Sequence, residues 1–329
     1  MHRRESSIND FRGDFLPVAA MVQRSFAENA PQALLYSADF LASLFEYPGA
    51  SFSLAPSVYD SSGPLGFVAG FPRRIRLQGR ELRIILGTSL AVSPEYKNRG
   101  IGVILWSELV KRAQAAGFDG MLAYCVEGDP MNRMVLRCGD RLGLPIRRIY
   151  SIRHWATLLR SNMAPELGTG VWGGRDAPGC VEAFMEIAAT IGHSTPLARI
   201  WSKEEATWQC TGRSGSILAS YSRGLGRGLM TGYVMQIANR QRTNCLLIED
   251  VLWGDLEREE RQVLLGHFLV MGVKARAQMA ILRVLGYADI EPFVAARFLP
   301  TPRVFHAYLT LWSGQLPVEE LSSMYIDVV

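Results

Sequence analysis

Leu16, Ala19, Ala20, Val22, Gln23 and Phe26 fall at near-helical spacing with Asp14 placed as an N-cap, which predicts a helix over Asp14–Asn29. A second predicted helix, Ser37–Phe45, opens on Ser37, whose hydroxyl can take a first-turn N–H. Three β-like runs follow: Ser51–Tyr59, Leu65–Leu77 and Glu81–Val92. Turn formers part them at Asp60-Ser61-Ser62-Gly63-Pro64 and at Gln78-Gly79-Arg80. The period then returns to that of a helix over Gly102–Ala116, with Ile104, Leu105, Leu109, Val110 and Ala113 on one face and Gly117 ending it. An apolar strand Gly120–Val126, a short helix Pro130–Leu142 with Pro in its first turn, and a strand Pro145–Trp155 complete this half.

Periodicity fails between Ser161 and Pro178, a stretch of Gly, Pro, Ser and Thr turn formers. Beyond it a similar late order returns. A helix is expected at Val181–Ile191, strands at Ser216–Tyr221, Met230–Ala238 and Asn244–Leu252, a long helix at Leu256–Val273, a strand at Met279–Val284, a short helix at Glu291–Leu299 and a strand at Val304–Leu311. The repeated β-α-β-α-β order suggests an internal duplication. The expected organisation is a domain over 1–160, a linker over 161–178 and a second domain over 179–329, all of α/β class.

With 329 residues, 48% hydrophobic and 20% charged, composition excludes a disordered or low-complexity chain. No run approaches the roughly 20 apolar residues of a membrane span, and the basic start leads into polar residues, so no export signal is expected. Five cysteines without CxxC spacing fit a reduced, cytoplasmic protein. The five histidines form no HxH, HxxxH or HExxH pair, so no metal site is expected. The net charge of +4 divides unevenly: residues 1–160 carry 20 Lys+Arg against 14 Asp+Glu, and residues 161–329 carry 15 against 17. Without a dense basic run, the positive half is weak evidence for nucleic acid and fits a small polyanion equally well.

The polyanion has a candidate seat. A strand ends near Val92, a short loop carries Lys97, Asn98 and Arg99, and Gly100, Ile101, Gly102 and Val103 open a helix. Glycines let backbone N–H groups approach an anion. First-turn N–H groups lack helical partners, and the macrodipole adds positive charge there. The pattern suits a pyrophosphate; a plain basic β-α turn is the alternative. A Walker loop is excluded because no Gly-Lys-Ser/Thr follows, and two glycines are too few for a Rossmann fingerprint.

The run Val92-Ser-Pro-Glu-Tyr-Lys-Asn-Arg-Gly-Ile-Gly-Val103 resembles the CoA-binding loop of GNAT-superfamily N-acyltransferases, Gln/Arg-x-x-Gly-x-Gly/Ala after a strand end. Lys97 stands where Gln or Arg is usual. Asn132, Val135, Gly143 and Leu144 match the spacing of the family's second signature, and the resemblance covers residues 8–156. It implies a twisted mixed sheet whose fourth and fifth strands splay to admit acetyl-CoA or a longer acyl-CoA. The strand around Leu90 and Val92 would then lie along the pantetheine arm, residues 97–103 would hold the pyrophosphate, and Asn132 would lie near the thioester. The Val92 N–H would be the oxyanion donor. The implied acceptor is an amine on a small molecule or peptide, and an acyl-carrier protein is a possible alternative donor; neither nucleic acid nor a membrane span is implied.

Direct acylation of an amine needs a neutral amine, a donor for the carbonyl oxygen and a proton for the thiolate. Many family members use a Tyr seven residues after the motif Asn as the acid; here that residue is Gly139. Glu127, ending the strand before the second signature, is the best placed carboxylate, with Tyr124 and Asp129 beside it; a solvent turn and helix cap is the alternative. The absent Tyr also leaves open a non-catalytic acyl-CoA-binding protein.

In the second half, Asp255, Glu257, Glu259 and Glu260 crowd the corresponding helix start. They suit the dipole but would repel pyrophosphate, so this half reads as a GNAT-like domain without CoA binding that covers or shapes the acceptor site. Ser222-Arg-Gly-Leu-Gly-Arg-Gly228 reads as a hairpin turn. Trp201, Trp208, Tyr233 and Phe268 read as core packing ahead of an acyl pocket.

Overall fold

The structure is a computed structural model that describes residues 8–29, 34–160, 170–173, 179–223, 226–238, 242–312 and 315–328. Two compact units emerge, and neither is a continuous stretch of chain. The first comprises Met1–Arg74, Glu81–Ser151 and Phe305–Glu320; the second comprises Ile75–Arg80, Ile152–Val304 and Leu321–Val329. The expected boundaries at 1–160 and 179–329 follow chain order, whereas these units follow strand pairing. Most of the expected linker lies outside the described residues; Val171–Gly173 within it forms a strand of the second unit.

In the first unit, β1 (Ile8–Asp10), α1 (Phe15–Asn29), β2 (Leu34–Leu35) and α2 (Ala38–Phe45) precede β3 (Pro56–Asp60), β4 (Gly63–Leu77) and β5 (Arg80–Val92). Then come α3 (Ile101–Ala115), β6 (Gly120–Val126), α4 (Pro130–Leu142) and β7 (Ile146–Leu158). The β4–β5 turn has φ 47° at Gln78 and 85° at Gly79, both positive as a tight hairpin requires. The sheet order is β1-β3-β4-β5-β6, followed by a strand from the far end of the chain and then β7. One face packs on α3 and α4, burying Ile85, Leu105, Trp106, Leu109, Met121, Ala123, Val135 and Cys138. Elsewhere in the unit, Phe11 meets Phe67 with ring centroids 5.2 Å apart and Phe45 meets Phe71 at 5.3 Å, both edge-on as ring quadrupoles prefer.

The second unit contains β8 (Val171–Gly173), α5 (Cys180–Ser194), β9 (Leu197–Ile200), α6 (Lys203–Thr207), β10 (Ser216–Arg223), β11 (Gly226–Ile237) and β12 (Thr243–Leu252). α7 (Arg258–Lys274), β13 (Met279–Val284), α8 (Glu291–Ala295), β14 (Leu299–Leu311) and β15 (Met324–Tyr325) follow. β10 and β11 pair antiparallel with Arg223 opposite Gly226, the arrangement expected of a hairpin over 222–228; residues 224 and 225 lie outside the described set. Trp201, Trp208, Tyr233 and Phe268 are all buried, and Tyr233 and Phe268 are almost completely so.

Besides the tip of the β4–β5 hairpin, whose residues 75–80 lie in the second unit, two strands belong to both units. Residues 146–151 of β7 lie in the first and 152–158 in the second, where Met279–Val284 pairs antiparallel with Arg153–Leu158. Residues 305–311 of β14 lie in the first unit, antiparallel to β6, with Phe305 opposite Val126 and Leu311 opposite Gly120. The late half of the chain therefore supplies the first unit with the strand between β6 and β7. Close approach makes this possible at Gly120, where a Cβ would stand 2.2 Å from the Thr310 carbonyl oxygen.

Some expected elements shift for local reasons. The run predicted as a strand over 51–59 begins instead as a 3-10 turn, Phe52–Leu54, because the Ser51 hydroxyl accepts from the Ser53 N–H. The helix predicted to reach Leu299 stops at Ala295, where Arg297 turns left-handed (φ 60°) and frees the chain for β14. α6 carries a capping box in which Ser202 and Glu205 satisfy each other's backbone N–H groups, a signal legible as Ser-x-x-Glu.

Candidate active site in the first unit

β5 and β6 run parallel and stay in register for only four pairs, from Ile84 opposite Gly120 to Gly87 opposite Ala123. Beyond them β5 continues to Val92 and β6 to Val126, so the sheet forks. Ser89, just past the last pair, has φ 57°, a positive value uncommon outside Gly that re-aims the strand. Its hydroxyl is buried without a hydrogen-bond partner. At the end of β6, the Asn132 amide nitrogen donates to the Val126 and Asp129 carbonyls, tying β6 to α4, while its Oδ1 is also buried and unpartnered. A buried polar atom left unmade costs about 1–3 kcal/mol. Two such atoms beside one fork fit a ligand that brings its own polar groups, as the amides of a pantetheine arm do.

The loop after β5 is shaped by its backbone. Leu65 accepts from the Ser93 N–H (2.8 Å), a 3-10 turn runs over Pro94–Tyr96, and Asn98 (φ 62°) and Gly100 (φ 82°) are both left-handed. Gly100 is the N-cap of α3, and its carbonyl accepts from Ile104, so the N–H groups of Ile101, Gly102 and Val103 precede the first intrahelical bond. A Cβ on Gly100 would meet nothing within 4 Å, so the helix mouth is open on that side. Gly102 packs more closely: a Cβ there would lie 3.4 Å from Met134 Sδ and 3.7 Å from Val92 Cγ2. Arg99 stacks over the Tyr96 ring (4.9 Å), and the Tyr96 hydroxyl donates to Asp60 (3.0 Å), which fixes one cation of the loop beside the helix mouth. Lys97 is half-buried at the end of the 3-10 turn. Leu90, Val92 and Val103 pack against the α3–α4 core.

The chemistry-bearing candidates divide. Glu127 is exposed in the turn after β6, with Oε1 3.7 Å from Nε2 of His306 on β14. His306 lies opposite Cys125, on the face shared with Tyr308 and the α3–α4 core, whereas Tyr124 lies opposite Ala307 on the other face. Strand alternation separates them, so the structure does not bring Tyr124 and Glu127 together. Asp129 caps α4 by accepting from the Met131 N–H (2.8 Å). The Val92 N–H, the expected oxyanion donor, donates to Ser25 Oγ on α1 at 3.4 Å. Burial pushes the Cys125 thiol up to about 12, which makes it a packing residue rather than a nucleophile. Gly139 is closed to any side chain, since a Cβ would lie 2.7 Å from Ile146 Cγ1 and 2.9 Å from the Leu144 carbonyl.

Sequence reasoning missed His306, Ser151 and Glu320. His306 Nδ1 lies 3.2 Å from Ser151 Oγ, which donates to Glu320 Oε2 (3.4 Å), and Arg148 holds the other Glu320 oxygen (2.6 Å). No motif marks them, because they come from β7, β14 and the segment after it.

The second unit has its own fork. β12 and β13 pair from Cys245–Met279 to Ile248–Leu282 and then diverge. Here the chain fills the space itself. The Tyr287 hydroxyl accepts from the Val251 N–H (3.0 Å), Glu249 binds Arg213 and Arg283, and Asp250 accepts from Gln209 (2.7 Å) and Thr231. Burial, with Glu249 beside it, pushes the Asp250 carboxyl up to about 6. At the start of α7, Glu260 accepts from the Glu257 N–H (3.0 Å), so the chain's own carboxylates occupy the place that phosphate would take.

Among the described residues, no group of three or more His, Cys, Asp or Glu could hold a metal ion, and no helix is long and apolar enough to cross a membrane.

The first unit thus combines a forked mixed sheet with a helix N-terminus that no side chain caps. Residues 18–139 match the family model described as Acetyltransferase (GNAT) family, and the chain has the fold of an acyltransferase built from two GNAT-like units. The chain is similar in structure to Saccharomyces cerevisiae N-myristoyltransferase with bound myristoyl-CoA and inhibitors (TM-score 0.78, 10% identity, 100% of this chain and 88% of that one). It is also similar to a tandem GNAT protein from the clavulanic acid biosynthesis pathway (TM-score 0.59, 15% identity, 95% and 100%). A third likeness is to a GCN5-related N-acetyltransferase from Kribbella flavida (TM-score 0.55, 13% identity, 93% and 70%). The sequence matches none of the curated proteins.

Proposed function

We propose that the first unit binds acyl-CoA in the β5–β6 fork and passes its acyl group to a primary amine by direct attack, with Glu127 as base. The observation that carries this reading is the fork itself: four register pairs, then two diverging strand ends beside the buried, unpartnered Ser89 Oγ and Asn132 Oδ1. Residues 97–103 hold the pyrophosphate through first-turn N–H groups, with Lys97 and Arg99 adding charge. Leu90 and Val92 lie along the pantetheine arm as an added strand would. The donor supplies the activated thioester; the chain's residues orient it and take the amine proton. No side-chain acid is assigned, because Gly139 is sterically closed and a CoA thiolate leaves tolerably without one.

Acetyl is the default acyl group. A longer fatty acyl chain is the variant supported by the likeness to an enzyme with bound myristoyl-CoA over the whole of this chain. The acceptor amine belongs to a small molecule or to a peptide Lys or N-terminus, and an acyl-carrier protein is the alternative source of the thioester. The five free, buried cysteines fit a reducing, cytoplasmic location.

A thiol-release assay with acyl-CoAs from acetyl to palmitoyl, run against small amines and peptides, tests the reading. The expected result is amine-dependent release. Glu127→Gln should lower turnover at least about a hundredfold while leaving CoA affinity unchanged. CoA binding without turnover on any amine would instead make the protein an acyl-CoA-binding module.

A further inference from the structure

We infer that His306, carried into the first unit by β14, is the positioning residue and proton partner of Glu127, so the late half of the chain completes the active site. This rests on the proposed role of Glu127 as base. Ser151 has one hydroxyl proton, and the geometry gives it to Glu320 (3.4 Å). The Ser151 oxygen can then only accept from His306, which places a proton on Nδ1 at 3.2 Å. The lone pair of Nε2 is left facing Glu127 Oε1 at 3.7 Å. Two acceptors face each other with no proton between them, so the pair is set to take one up: Nε2–H⁺ then donates to the carboxylate.

The other groups around His306 are fixed. Arg148 and Ser151 on β7 hold Glu320, Cys125 lies opposite on β6 with its thiol protonated, and Tyr308 lies next along the same face of β14. His306 is nearly buried while Glu127 is 63% exposed, so Glu127 is the member that meets the amine and His306 the member that holds and shares the charge.

In the step this implies, an amine arriving as ammonium gives one proton to the Glu127–His306 pair and becomes nucleophilic. The C–N bond forms, the C–S bond breaks, and the remaining excess proton on nitrogen passes to the departing sulfur, giving amide and free thiol. The pair then returns its proton to solvent.

The test is a double-mutant cycle on the full-length protein with Glu127→Gln, His306→Gln and both, reading kcat, KM and the acid limb of the pH profile. His306→Gln should lower kcat about tenfold to a hundredfold and move the acid limb, with KM for acyl-CoA unchanged. The double variant should be little slower than Glu127→Gln alone. Additive losses, or an acid limb unmoved by His306→Gln, would overturn the inference. A readout independent of turnover is the 15N NMR signature of the His306 imidazole, which should show a proton on Nδ1 and a change at Nε2 in Glu127→Gln. An Nε2 signal unchanged by Glu127→Gln overturns the pair even if the acyltransferase reading stands. A changed Nε2 signal in a protein that acylates no amine keeps the pair and removes the reaction. Circular dichroism of each variant separates these results from unfolding.

Discussion

Replacing Gly100 by Asp and by Asn separates charge from shape at the helix mouth. Gly100 has φ 82° and is the N-cap of α3, and a Cβ there meets nothing within 4 Å, so either side chain has room. The left-handed backbone costs an L residue about 1 kcal/mol, least for Asn and Asp, so the two variants carry much the same small cost. Both variants should therefore fold with near-native stability. Toward a bound pyrophosphate they differ by one full charge. At about 5 Å, each unit charge pair is worth about 1 kcal/mol in bulk water and about 3 kcal/mol near a protein surface. With two phosphate charges and physiological screening, the low end of the repulsion is about 1 kcal/mol, or about fivefold in Kd. Isothermal titration with CoA should show Gly100→Asp binding at least about fivefold more weakly than Gly100→Asn, the gap narrowing with added salt. Equal Kd values for two folded variants would refute the placement of the pyrophosphate.

Two further outcomes follow from close packing and thiol chemistry. Gly139→Ala should lower the urea-unfolding free energy by about 1–2 kcal/mol, because overpacking against Ile146 and the Leu144 carbonyl outweighs the helix-propensity gain; a neutral or stabilised variant would show that α4 can shift to make room. The Cys180 thiol is held below the ordinary thiol range, chiefly by its bond with Cys210, whereas burial pushes Cys245 up to about 12. Because thiolate forms above the pKa, iodoacetamide labelling of Cys180 followed by mass spectrometry should rise with pH well before that of Cys125 and Cys245, which stay unlabelled in the native protein. Labelling of Cys180 no faster than that of Cys125 at pH 7.5 would contradict this.

The loop proposed to hold phosphate was legible because it is local. Its strand end, basic residues, glycines and helix start lie within twelve consecutive residues, and the backbone angles at Asn98 and Gly100 follow from what those residues tolerate. Asn132 was also legible by spacing, and it sits where β6 meets α4. Of the two catalytic candidates, Glu127 reaches a partner, while Tyr124 faces the other side of β6; a three-residue separation on a strand could have signalled that. His306, Ser151 and Glu320 could not be found this way. An isolated His and Ser on apolar strands carry no spacing signal, and what gives them chemistry is adjacency.

Sequence by itself determined most of the longer elements, the acidic start of α7 that its own carboxylates fill, and the loop whose glycines and cations suit a phosphorylated donor, since each depends on residues within one or two turns of the backbone. Tertiary structure decided which strands complete which unit. Strand pairing joins residues by hydrogen bonds across any sequence distance, so β14 could enter beside β6 and set His306 against Glu127, 179 positions apart in the chain.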